Sequence, residues 1–262
     1  MNDRLEITIE DHVAEVVLNR PDKMNALDMD MFYSLDEAAR SLAGEVAVRA
    51  VVLRGAGENF CAGIDLSVLQ GGADIGAALL DPVQDSPANI FQRAAYAWRE
   101  LAMPVVCALQ GVTFGGGFQI AMGADLRYAA PDAKFSIMES KWGLIPDMAI
   151  STTLRDILPP DRLKELAWTA RVIDANEALA LGIVTAIEDD PLTAARQMAG
   201  EIRQRSPDAV RGIKRLVNEA WQRSEDDSLA LEAQLQLKIL GAQNQGEAVR
   251  ANLGKRAPDF VD

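Results

Sequence analysis

Two carboxylates, Glu139 and Asp147, stand eight positions apart in the mostly apolar stretch Phe135-Ser136-Ile137-Met138-Glu139-Ser140-Lys141-Trp142-Gly143-Leu144-Ile145-Pro146-Asp147. A carboxyl group among apolar side chains loses water, its pKa rises, and it can then take up and return a proton near neutrality. Plainer roles compete for both. Glu139 could pair with Lys141 or Arg127, and Asp147 is placed to cap a helix beginning near Met148. Two glycine-bearing turns offer the complementary chemistry. Phe60-Cys61-Ala62-Gly63-Ile64-Asp65 follows the apolar run Ala50–Leu53, and Gln110-Gly111-Val112-Thr113-Phe114-Gly115-Gly116-Gly117-Phe118-Gln119 follows Val105–Leu109. Small residues at a strand end let the backbone turn sharply and leave N–H groups pointing outward. Where glycines open a helix, its unpaired N–H groups and positive dipole end suit a developing oxyanion. The second turn is no phosphate loop, because no Gly-Lys-Ser/Thr follows, and Ile120 breaks the dinucleotide fingerprint. Taken singly, each turn also reads as close packing of a helix on a sheet.

Composition narrows the partners. The 262-residue chain is 49% apolar and 25% charged, the balance of a folded globular protein. With 26 Lys and Arg against 39 Asp and Glu, its net charge of −13 repels nucleic acid and anionic membranes. An anionic ligand would need a local basic cluster or backbone N–H groups. Cys61 and Cys107 lack C-x-x-C spacing and read as reduced, buried thiols of a cytoplasmic protein, with neither a disulfide framework nor a metal site. The single histidine, His12, makes a His-rich metal site impossible and leaves one candidate for a Ser-His-Asp triad. The start, Met1-Asn2-Asp3-Arg4, has the marks of neither a signal nor a transit peptide. Leu101–Ala124 carries no charge, yet Pro104, Gln110, Gln119 and its glycine run suit a buried strand, turn and helix better than a membrane span.

Period-2 alternation predicts a strand over Leu5–Glu10 and its partner over Val13–Leu18, joined at Asp11-His12. Arg20–Lys23 reads as a turn, and Asp28 as the cap of a helix over about Met29–Ala43. Ala50–Leu53, Val105–Leu109 and Leu126–Ala130 are apolar strands, and Asn89–Leu101 is helical. Gly71–Ser86, small and glycine-rich, reads as a mobile loop. After Pro146 the spacing predicts helices over Asp161–Ala170, Asp174–Leu181, Pro191–Arg205, Pro207–Arg223 and Ser228–Leu240, with Val184–Ile187 strand-like between them. The chain thus alternates strands and helices over residues 1–190 and is helical over 191–262, an α/β organisation.

The order Phe-x-Ala-Gly-x-Asp, then Gly-x-x-x-Gly-Gly-Gly, then Glu followed by Gly-Leu-Ile-Pro resembles the crotonase (enoyl-CoA hydratase/isomerase) superfamily. Arg20-Pro21-Asp22-Lys23-Met24-Asn25-Ala26-Leu27 is similar to its N-terminal signature, and Ala175–Val184 to its later Glu-Ala-x-x-x-Gly-Leu-Val motif. Gly254–Phe260 is similar to its Glu-Lys-Arg-x-Pro-x-Phe tail. Six motifs in order cover essentially the whole chain.

The resemblance implies a crotonase-like spiral of ββα units over 1–190, then a helical region over 191–262 for oligomerisation and active-site cover. It implies a homotrimer or dimer of trimers. The substrate would be an acyl-CoA thioester, with coenzyme A arriving as part of it and no separate cofactor or metal. By residue-wise carry-over, the N–H groups of Ile64 and Gly116 would hold the thioester oxygen. Arg20, Lys23, Ala26, Ala62, Asp65 and Lys255 would line the coenzyme A, with Lys255 in relatives often lent by a neighbouring subunit. A hydratase of this family uses two glutamates. Here Glu139 supplies the second, while the first position holds Gln119, which cannot exchange a proton at neutral pH. Isomerisation of an enoyl-CoA double bond with Glu139 as base and Asp147 as second acid/base is therefore the expectation. A hydratase with Gln119 orienting water, an inactive acyl-CoA-binding scaffold, and thioester hydrolysis or decarboxylation on the same enolate site are the alternatives. The acyl pocket is expected from the 71–86 segment, Phe91, Trp98, Trp142 and the C-terminal helices.

Overall fold

The computed structural model describes residues 3–68 and 73–262. A six-stranded sheet has the order β1-β2-β3-β4-β6-β9, with β1 (Leu5–Glu10), β2 (Val13–Leu18), β3 (Ala50–Gly55), β4 (Val105–Leu109), β6 (Leu126–Ala129) and β9 (Ala186–Ile187). Only β1 and β2 pair antiparallel. Asp11 and His12 between them both take positive φ, +50° and +66°, as a two-residue hairpin of matching twist requires. From β2 onward every neighbour is parallel. A parallel sheet is covered on both faces, which is why its strands read as unbroken apolar runs. Val51 and Leu53 of β3, with Val105, Cys107 and Leu109 of β4, join the main core. Ala50, Val52, Val106 and Ala108 face the other way and meet Ala195 and Ala199.

The main core holds α1 (Met29–Gly44), α3 (Ile90–Glu100) and α4 (Gly116–Gly123). Asp28 caps α1 by accepting from the Met31 N–H at 2.9 Å, and Asn89 and Gln92 close a capping box on α3. Every residue of α4 is buried, so the uncharged run Leu101–Ala124 is the centre of the core. No helix among the described residues is long and apolar enough to cross a membrane. The opposite face is covered by α8 (Pro191–Arg203) through its alanines.

A second sheet, β5 (Val112–Phe114), β7 (Lys134–Ser136) and β8 (Ile173–Asp174), escaped the sequence reading because strands of two or three residues carry no period. It continues through a bridge between Cys61 and Thr113, which draws the first glycine turn toward the second.

The segment 71–86 needs correction. Ala73–Leu80 forms helix α2, since its alanines, leucines and isoleucine outweigh the single internal Gly76. Asn89 Nδ2 donates to the Leu79 carbonyl at 2.8 Å and secures its end. Residues 71 and 72 lie outside the described residues. The later helices follow the reading closely: α6 (Pro160–Thr169), α7 (Ala175–Ala180), α9 (Pro207–Ala220) and α10 (Glu225–Ile239). The last begins earlier than periodicity predicts, because Ser224 caps it and Glu225, Asp226 and Asp227 suit the positive end of its dipole. A final helix, α11 (Gln243–Leu253), was not foreseen. Lys214 tethers α9 to the core, its buried ammonium donating to the Trp98 and Met103 carbonyls and to Asp125 at 2.8 Å.

Candidate active site

Asn25 sets the frame, although its sequence motif assigned it no task. Fully buried and in the left-handed region (φ +55°), it donates from Nδ2 to the carbonyls of Ala56, Asn59 and Phe60, and accepts the Arg20 N–H on Oδ1. The first glycine turn is thereby fastened to the N-terminal signature. Backbone pairing continues the hold: Ala62 N–H to Met24, Leu27 N–H to Gly63, and Asp65 N–H to Leu27, all at 2.8–2.9 Å. On the other side, Cys61 N–H reaches Val112 and Phe114 N–H reaches Cys61.

This pairing fixes where the Ile64 amide looks. Leu27 spends its N–H and C=O on Gly63 and Asp65, so the Ile64 N–H between them faces away from Leu27. Gly63 is what lets the two turns meet. Its φ is +94°, and a Cβ there would stand 2.8 Å from the Phe114 carbonyl oxygen and 3.4 Å from the Gly116 nitrogen. Gly116 is the first residue of α4, so its N–H has no intrahelical partner. The Ile64 and Gly116 turns are thereby brought into close approach at Gly63. The side chains of Leu27 and Met148 close on Gly116.

Gln119 stands three residues along from Gly116, on the same face of α4. It is fully buried, donates from Nε2 to Glu139 Oε1 at 2.6 Å and accepts the Met148 N–H on Oε1 at 2.8 Å. Glu139 leaves β7 into a short 3-10 turn, Glu139–Trp142. Its Oε1 lies beside Gly115, and its Oε2 is buried with no hydrogen-bond partner. Burial pushes the Glu139 carboxyl above its ordinary range. The neighbouring charge of Asp147 adds to that, while its own N–H and the Gln119 amide pull the other way. Neither Lys141 nor Arg127 pairs with it, against the simpler sequence reading. Arg127 is buried and donates to the Ile183 and Ala124 carbonyls instead. Thr113 Oγ1, on the strand residue bridged to Cys61, is the other buried side-chain nitrogen or oxygen without a partner among the described residues.

Asp147 does not cap a helix. The short α5 (Ile150–Thr153) begins after Ala149, which sits at φ +65° and leaves no side-chain cap. Although Asp147 is exposed as a residue, protein around its carboxyl still raises it, and the bond to its own N–H opposes that rise.

The residues expected along coenzyme A divide. Arg20, Ala26, Ala62 and Asp65 come together beside the first turn. Arg20 Nη1 donates to the Ala26 carbonyl at 2.9 Å and to Asp65 Oδ2 at 2.7 Å, and its Nη2 lies 3.6 Å from Asp28. Its charge is thus already spoken for, which sequence could not reveal. Lys23 is exposed. Lys255 is also exposed, but the tail that follows it packs with His12 and Arg49 at the N-terminal ends of β2 and β3, the end of the sheet away from the turns. It does not join the site of its own chain. His12, beside the Ala47 carbonyl and Asp262, is equally remote. Cys61 is buried, and loss of water pushes its thiol up to about 12, so it is no nucleophile here. Trp98 is fully buried and donates to the Ala94 carbonyl, and Phe91 packs edge-to-face on Phe32 at 5.0 Å; both serve the core, whereas Trp142 is half exposed. Among the described residues no group of three or more His, Cys, Asp or Glu is placed to hold a metal ion.

The Ser67 N–H and hydroxyl and the Arg20 guanidinium hold Asp65 down to about 2. A depressed carboxylate contributes stability above its unfolded value near 4, lost as pH falls through the folded one. Asp65→Asn is therefore expected to lower Tm at pH 7, with the gap to the native protein narrowing between pH 4 and 2 in thermal scans.

A buried carboxyl with one free oxygen and a raised pKa, close to a helix N-terminus, suits removal of a proton next to a carbonyl. The enoyl-CoA hydratase/isomerase family model matches residues 8–262. The chain belongs to the enoyl-CoA hydratase/isomerase family. Its fold is that of the crotonase superfamily. An enoyl-CoA hydratase of Mycobacterium tuberculosis, EchA19, is 30% identical over 95% of this chain and 93% of its own. The mitochondrial Delta(3,5)-Delta(2,4)-dienoyl-CoA isomerase of Mus musculus is 32% identical over 94% of this chain and 77% of its own. The crystal structure of an enoyl-CoA hydratase from Bacillus anthracis superposes with a TM-score of 0.90 at 27% identity, covering 98% of each chain. The protein is an enzyme of this enoyl-CoA hydratase/isomerase family, and relatives of both reaction types are similar to it.

Proposed function

We propose that this enzyme binds an enoyl-CoA thioester and moves its carbon–carbon double bond. The thioester oxygen accepts the Ile64 and Gly116 N–H groups, Glu139 removes a proton, and the enolate charge rests on that oxygen. Reprotonation further along the chain completes the shift, with Asp147 as second acid/base. The observation that carries this reading is the exchange of a second glutamate for Gln119, whose oxygen and Nε2 are engaged by the Met148 N–H and by Glu139. Addition of water profits from a second proton-exchanging group, worth about 10²–10⁴ in rate, whereas a double-bond shift needs only proton removal and return. The site binds no separate cofactor in this reading.

Lys23 meets the coenzyme A phosphates, since Arg20 is bound to Asp65 and Asp28, and Lys255 reaches the site of a neighbouring copy. The assembly is a homotrimer or a dimer of trimers. Ile213, Trp221, Leu237 and Leu253 on α9, the turn after it, α10 and α11 are all more than 60% exposed, an apolar surface that association would cover. With a 3-enoyl-CoA in water, the expected product is the conjugated 2-enoyl-CoA, seen as a gain in ultraviolet absorbance. A hydratase instead bleaches crotonyl-CoA and yields a hydroxyacyl product by mass.

A further inference from the structure

The Met148 backbone N–H can only donate, so the Gln119 atom that faces it at 2.8 Å is the carbonyl oxygen. The other end of the amide is then a donor, and it faces Glu139 Oε1 at 2.6 Å. An acceptor held this closely by a donor is a poor place for a proton. The second carboxyl oxygen, Oε2, is buried and unpartnered. We infer that Gln119 is a positioning residue that gives the two oxygens of Glu139 separate tasks, Oε1 as a fixed acceptor and Oε2 as the atom that carries the proton.

Gln119 also joins three pieces of chain that are distant in sequence: α4, which presents the Gly116 N–H, the turn that bears Glu139, and the backbone just after Asp147. A shift of one against the others must break a bond in the core, where no water replaces it. The carboxyl is held relative to the oxyanion site by the same helix that supplies the site. The charged group facing Glu139 is Asp147, and no cation pairs with it among the described residues. The inference rests on Glu139 being the base but adds a duty to a residue that cannot itself exchange protons.

The test reads the Glu139 carboxyl directly, by carbon NMR of protein labelled at the glutamate side-chain carboxyl, with Glu139→Gln identifying the signal. In Gln119→Leu the donor to the ionised form is lost, so the Glu139 midpoint rises by about one pH unit. The acid limb of the rate profile moves up with it, and kcat falls more than KM changes. In Gln119→Glu the acceptor for the Met148 N–H is kept while a second carboxyl faces Oε1, so two coupled titrations replace one. If Gln119→Leu does not fold, Gln119→Glu decides the question. A folded variant with an unmoved Glu139 midpoint and an unmoved acid limb overturns the inference, for Gln119 then only fills space. Shifted midpoints in an enzyme that isomerises no enoyl-CoA support the anchor and sink the isomerase reading alone.

Discussion

Glu139→Gln is expected to lower isomerisation by about 10²–10⁴-fold with little change in KM. The replacement keeps the size of the side chain, and its amide oxygen can still accept from Gln119. What disappears is the oxygen to which the proposed mechanism gives the proton. On the proposed mechanism the thioester is held by main-chain amides that the substitution does not touch, so binding measured by KM or calorimetry should survive. In the native enzyme the base must be ionised. Burial raises its pKa, so activity should climb with pH through a limb above the ordinary carboxylate range, and the variant should lack that limb. An equal loss of binding and turnover would mean that Glu139 holds substrate and does not work on it.

The second large effect is expected from Gly63→Ala. A single methyl here meets the Phe114 carbonyl oxygen at 2.8 Å, and the backbone must also keep φ at +94°, a region costly for alanine. Relief requires moving the first turn away from Phe114 and Gly116, which on the proposed mechanism separates the Ile64 N–H from the Gly116 N–H. Removal of one oxyanion donor costs about 10²–10³ in kcat, and a loss of that size is predicted, with a destabilisation of about 1–3 kcal/mol. Steady-state kinetics with a denaturant melt on the same preparation separates the two. Retained turnover in a destabilised variant would show that the Ile64 amide is not part of the site.

Much of this was legible in the chain. Glycines after the apolar runs of β3 and β4 announced both turns, and Glu139 stood out as an acid in an apolar stretch. The capping role of Asp28 could be read because Ncap signals are local. What stayed hidden was set by long-range contact. Arg20 and Asp65 are 45 residues apart, and nothing in either segment says that they neutralise each other. The two-sided engagement of Gln119 needs Met148, 29 residues on, to present its N–H. Asp147 reads as a cap by position, but the chain takes a left-handed step at Ala149 and starts the helix without it. Helix α2 was masked by the glycines before it, and β5, β7 and β8 were too short to show alternation.

The central claim is tested most directly by incubating the native enzyme with an enoyl-CoA in heavy water and following the carbon beside the thioester by proton NMR and mass. The account predicts deuterium at that carbon and at the far end of the shifted double bond, both lost in Glu139→Gln. No incorporation with any enoyl-CoA, or equal incorporation by the Glu139→Gln enzyme, would contradict it.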